Sequence, residues 1–208
     1  MDFTLHKDFS SLDAAAWNAL LAESITDVPF LRHEYLVHWW ETRGGGEWAE
    51  PGLVLVSASE NGRLIGIAPL FIAEYDGRQA LMLLGSIEIS DYLDLIVRAE
   101  DLTGFLSGLL DFAVSSGPVS WRALDWYNLP DASPTLAALK AESERRGWAH
   151  AQEVYRPTPT LALNGSYEAY LATIKKNSGT RSGASSAGRR NAARAGIWSM
   201  TEPTSSPG

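Results

Sequence analysis

The sequence contains no cysteine. That excludes a disulfide framework, a thiolate nucleophile and any zinc site built on thiolates. Histidine is scarce, with four in 208 residues, and its best-spaced pair does not suit a metal. His33 and His38 are five apart and would point about 140° away from each other on a helix, whereas a zinc motif needs i and i+4 on one face. No Gly-x-Ser-x-Gly elbow, Gly-x-x-x-x-Gly-Lys phosphate loop or dinucleotide fingerprint occurs. Met1–Ser11 lacks the basic start and apolar run of a signal peptide. No stretch reaches the roughly 18 uninterrupted apolar residues of a membrane span. A soluble cytoplasmic protein without membrane contact is the expectation. A formal charge of -8 argues against general nucleic-acid binding.

The hydrophobic share is 45%, and the length is ample for one buried core. Charge is unevenly spread. Residues 1–176 hold 13 Lys and Arg against 24 Asp and Glu, a net of -11, whereas residues 177–208 hold four Arg and one Glu, a net of +3. The latter stretch has no Leu, Val, Phe or Tyr, and 21 of its 32 residues are Ser, Gly, Ala or Arg. That composition offers too little apolar surface to offset chain ordering. A folded domain over 1–176 and a disordered tail over 177–208 are expected.

Periodicity predicts a helix over 11–22 capped by Ser11, with Leu12, Ala16, Trp17, Leu20 and Leu21 near one face, and a second over 33–42 stopped by Gly44-Gly45-Gly46. Strands are predicted over 53–59 and 63–75 around the Asn61-Gly62 hairpin signal, then over 80–84, 92–97 and 121–126. Helices are predicted over 102–115 and 133–146, an extended segment over 148–163, and a helix from Tyr167. This order implies an α/β class with a mixed sheet and helices on its faces.

The segment Gly85–Leu95 places Ser90, Asp91, Tyr92 and Asp94 where a loop enters a strand. Asp91 could serve as a general base or accept from a hydroxyl, and Tyr92 could stack or hydrogen-bond. The alternative is that Asp91 caps the turn while Asp94 faces solvent. Arg63-Leu64-Ile65-Gly66-Ile67-Ala68 fits a loose acyl-CoA pyrophosphate pattern, but it lies in a continuous strand whose N–H groups belong to a sheet ladder. Asp125-Trp126-Tyr127-Asn128 closes a strand where a ligand could lie. Most of the eight Trp are expected in the core.

An ordered set of segments carries a family resemblance. It comprises Pro29-Phe30-Leu31, Trp39-Trp40, Leu64–Leu70, Leu84-Gly85, Ser90–Leu95, Leu124-Asp125 through Leu129-Pro130, and Tyr170-Leu171-Ala172 with Lys175-Lys176. Over about residues 10–176 the chain resembles the GNAT-superfamily acyltransferases of the BioF-like, FemAB-related branch, a type associated with cellulose biosynthesis. The resemblance implies a GNAT-like sheet and acyl transfer from acetyl-CoA to an amine or hydroxyl of a small or sugar-linked acceptor. It implies that 1–176 is the acceptor-side half of a two-half protein, with the acyl-donor half missing. Ser90, Asp91, Tyr92 and Asp94 carry over as acceptor-pocket residues, with Trp39 and Trp40 as secondary candidates. No catalytic base carries over.

Members of that family continue beyond this point with a basic helix. Read one nucleotide out of frame with GC-rich codons, residues 178–193 back-translate to such a helix. The expectation is therefore a lost nucleotide near codon 177, with an out-of-frame tail. The competing origin is a native Arg-Ser-Gly tail in which Arg181, Arg189, Arg190 and Arg194 make salt-sensitive contacts with RNA or a membrane. Sequencing the gene decides: an unbroken upstream frame with no second GNAT half downstream overturns the first.

Overall fold

The computed structural model describes residues 1–48, 50–115, 121–159, 166, 167, 170, 171 and 189–198. Four helices and eight strands occur among them. The strands are β1 (Asp2–His6), β2 (Gly52–Glu60), β3 (Arg63–Tyr75), β4 (Arg78–Leu83), β5 (Ile96–Val97), β6 (Ala123–Pro130), β7 (Ala149–Pro159) and β8 (Arg189–Trp198). The helices are α1 (Ala14–Ala22), α2 (His33–Gly46), α3 (Leu102–Ser115) and α4 (Pro134–Arg146). The sheet runs β1-β2-β3-β4-β6-β8-β7, with β5 beside β3. The expected mixed α/β architecture is present.

Local chemistry explains most of these elements. Asn61 (φ 52°) with Gly62 (φ 77°), and Asp76 (φ 52°) with Gly77 (φ 73°), form two-residue turns of positive φ. Such turns match strand twist and are tolerated by Asn, Asp and Gly. They fix the registers Glu60↔Arg63 and Tyr75↔Arg78. The regular part of α2 ends where Arg43, Gly44 and Gly45 turn left-handed, so the triple glycine does stop it. The cap of α1 differs from expectation. Asp13 Oδ1 accepts from Ala16 N at 2.7 Å, while Ser11 lies in a preceding 3-10 turn. Ser133 caps α4, Pro134 follows it, and Gly147 (φ 65°) ends it.

Helices cover both faces of the sheet. Trp39 of α2 lies 5.3 Å from the Phe71 ring of β3. Gly66, five residues earlier and so on the opposite face, admits Phe105 of α3; a Cβ there would sit 2.6 Å from that ring. Gly66 also pairs with Ala58 and Val97 in the ladder, which leaves its N–H no role in a phosphate loop. α4 joins α3 through Arg146, which contacts Asp111 Oδ1 at 2.6 Å and Ser107 O at 3.0 Å.

Three expectations need correction. β1 was not foreseen; its five residues pair with Leu55–Ser59 and pack Phe3 against Phe105. The strand expected over 92–97 shrinks to Ile96–Val97, because Leu93 N donates to Asn128 O and Leu95 N to the Asp94 carboxylate instead of to a ladder. Within the stretch expected to be disordered, Arg189–Trp198 forms β8, paired with β6 on one side and β7 on the other. Ala193, Ala195 and Ile197 of β8 are buried. Small side chains let a strand of low apolar content fit between two others. Apart from Tyr167, Tyr170 and Leu171, the remainder of the expected last helix lies outside the described residues.

Candidate functional site

All strand pairs are antiparallel except β4–β6, which run parallel for two pairs, Ala80↔Ala123 and Leu81↔Leu124. Beyond Leu124, β6 pairs with β8 alone among the described residues, and β4 ends at Leu83. The chain leaves the sheet at Leu84, whose N–H donates to Pro69 O at 2.8 Å, and returns at β5. Residues 85–95 thus occupy the opening between the carboxyl ends of two parallel strands. Open α/β sheets bind ligands at that position.

Four side chains fasten the first part of this loop, Ser86 to Ser90. Asn128 (φ 60°) sits at an irregularity in β6 and spends both amide hydrogens on it, donating to Ile87 O at 2.8 Å and Ser90 O at 2.7 Å. Tyr35 of α2 bonds Ile89 O at 2.8 Å and Ser90 Oγ at 2.9 Å. Trp48 Nε1 donates to Ser86 O at 2.9 Å. Glu47 accepts from Ile87 N at 3.4 Å; burial, reinforced by Glu88, holds its carboxyl above the usual range. Asn128 and Tyr35 were not foreseen as fastening residues. Asparagine's tolerance of positive φ is the one signal at the first position.

The six expected pocket residues do not converge on one cavity. Asp94 is fully buried, accepting from Thr26 Oγ1 (2.7 Å), Ser133 Oγ (2.5 Å) and Thr135 Oγ1 (2.6 Å). Burial raises its pKa, against the pull of those hydrogen bonds and of Leu95 N. Its carboxylate is closed off from solvent by these donors. Trp39 is a core side chain, 2% exposed. Trp40 is half-buried with the Arg43 guanidinium 4.1 Å from its ring centre. Ser90 is buried against Tyr35. Asp91 is exposed, and Tyr92 is half-buried with a hydroxyl that has no partner among the described residues. Only Asp91, Tyr92 and Trp40 remain open, wholly or in part, to a visitor.

A separate cleft of about 350 Å³ lies toward the other end of the same strands. Ala123, Gly196 and Ala151 contribute to its lining. Arg194 of β8 makes a bidentate pair with Asp125, with Nε–Oδ1 at 2.8 Å and Nη2–Oδ2 at 2.7 Å. Its guanidinium also lies 4.5 Å from the Tyr127 ring centre. Asp125 holds the Arg194 pKa up, while burial, with the Tyr75 hydrogen bond, raises that of Tyr127. Tyr127 continues an aromatic row through Tyr75 and Tyr155. The segment 125–128 closes a strand where a ligand could lie; Asp125 lines this cleft, and its partner Arg194 lies in the stretch expected to be unfolded.

Acetyl-CoA, implied by the resemblance, bears a pyrophosphate and needs free N–H groups or unpaired cations. Gly66 is committed to the ladder, and the cleft sets Asp76, Asp125 and Glu153 against Arg78 and Arg194. Neither of these two places fits that group. Among them no group of three or more His, Cys, Asp or Glu could hold a metal ion, and no helix is long and apolar enough to cross a membrane. No protein-family model matches this sequence, and no curated protein sequence matches it.

Proposed function

We propose that this chain is the acceptor-binding part of a GNAT-type acyltransferase, working with an acyl-CoA site supplied from outside the described residues. The observation that supports this reading is the meeting of distant motif segments at the divergence of β4 and β6. Leu84-Gly85, Ser90–Leu95 and Asn128 share that opening, fastened by Tyr35 between the Phe30-Leu31 and Trp39-Trp40 motifs. Asp91 and Tyr92 lie on its accessible side and would engage the acceptor, a hydroxyl- or amine-bearing small or sugar-linked molecule. In this role Asp91 accepts from the acceptor's hydroxyl or ammonium, while the Tyr92 ring supplies a stacking surface.

Three measurements test the proposal. The purified chain should neither hydrolyse acetyl-CoA nor transfer its acetyl group, and acetyl-CoA should leave its melting temperature unchanged. Amino-sugar acceptors should shift the backbone resonances of Asp91 and Tyr92, with Asp91→Ala weakening the effect about tenfold, the equivalent of one charged hydrogen bond. Turnover by the isolated chain that disappears in Asp91→Ala would overturn the separate-donor arrangement. Acceptor-insensitive resonances at both residues would overturn the acceptor site.

A further inference from the structure

The Arg194 cleft has a charge arrangement that neither end of the acyl-transfer reading uses. The Asp125 side chain is 6% exposed and accepts from Nε and Nη2 along one edge of the Arg194 guanidinium, at 2.8 and 2.7 Å. Those two bonds fix the fork in place. Nη1 is left pointing elsewhere, and its described partner is Glu153 Oε1 at 3.3 Å. Glu153 is 59% exposed, so this contact is long and solvent-screened. One guanidinium edge is therefore rigidly presented and only loosely occupied, with an exposed carboxylate beside it.

The rest of the cavity bears on what could enter. Asp125 sits opposite Gly196, and Gly196 opposite Ala151, so two neighbouring strands offer little side chain at that level. Arg78 and Asp76 stand at the rim as a second pair of opposite sign. An anion would gain from Nη1 but meet Glu153 and Asp125; a cation would gain from Glu153 but meet Arg194. A molecule bearing both signs a few ångströms apart can replace the long Arg194–Glu153 contact with two better ones.

We propose that this cleft binds a small zwitterion of the α-amino acid class. Its carboxylate accepts from Arg194 Nη1, and its ammonium donates to Glu153. The short Asp125 pair serves as the fixed support for the arginine. The site is distinct from the loop at 85–95 and does not depend on the acyl-transfer proposal.

Isothermal titration calorimetry of the full chain tests it, using alanine, glutamine, glutamate and phenylalanine, each beside its methyl ester and N-acetyl derivative. At least one free amino acid should bind, and both of its derivatives should bind tenfold more weakly or worse. In Glu153→Gln, an exposed change that leaves the fold intact, the parent should lose its advantage over the N-acetyl form while keeping its advantage over the ester. Binding by none of the four, or equal binding of a parent and both derivatives, overturns the proposal. Acetyl-CoA turnover and the Asp91 resonances are read separately, so either proposal can fail alone.

Discussion

The Asp94 carboxylate joins three segments that lie far apart in sequence: Thr26 before α2, Leu95 before β5, and Ser133 and Thr135 at the start of α4. Asp94→Ala would strand three buried hydroxyls and should lower stability by about 3 kcal/mol in urea unfolding. Asp94→Asn keeps an acceptor, and its amide can donate to hydroxyls that rotate, so its loss should be smaller. The two also differ in pH response. Because burial raises the folded pKa, the native protein holds a proton that the unfolded chain has released. Stability from this group is complete below the unfolded value of about 3.9 and is lost as pH rises through the raised folded one. Melting temperature should therefore fall across that window in the wild type and vary less in Asp94→Asn. Neither an acceptor-pocket position for Asp94 nor its solvent-facing alternative anticipates this burial, because the partners that make burial tolerable are hydroxyls 39 to 68 positions away, which no local pattern reveals.

Helices and hairpins were legible where their stop signals are chemical. Asn61-Gly62, Asp76-Gly77, the glycine triplet and Gly147 each mark a boundary that the backbone obeys. β8 was not legible, because its burial rests on neighbours rather than on its own hydrophobicity. Ala193 and Ala195 suffice between two strands, and Arg194 is tolerable only because Asp125 meets it. Removing that partner tests the point. Asp125→Ala leaves a partly buried guanidinium with the long Glu153 contact and the Tyr127 ring but no close carboxylate, and should cost about 2 kcal/mol, between the values for exposed and buried pairs. Hydrogen exchange should then rise first at the β6–β8 and β7–β8 amides. An unchanged melting curve with unchanged exchange would show that the pair does not hold β8 in place. The site residues were legible as a segment but not as a pocket, since the turns of 85–95 bury Ser90 and Asp94 and leave Asp91 outside.

The sheet presents two dissimilar ends of the parallel pair: one closed by a hydrogen-bonded loop, the other an open cleft of mixed charge. Helix α2 reaches Phe71 but not Tyr127, so its face of the sheet is covered over β3 and carries aromatic and charged side chains beyond β4. The strand order also constrains assembly in time. β7 joins the sheet only through β8 among the described residues, yet β8 is the later of the two in sequence. During synthesis β6 can dock on β4 as soon as both exist, while β7 waits without a ladder until Arg189–Trp198 has emerged. Inserting a late strand between two earlier ones makes the last step of folding a long-range one. Until then a newly made chain carries the open edge of β6 and an unpaired β7, and those are where premature association with another chain would begin.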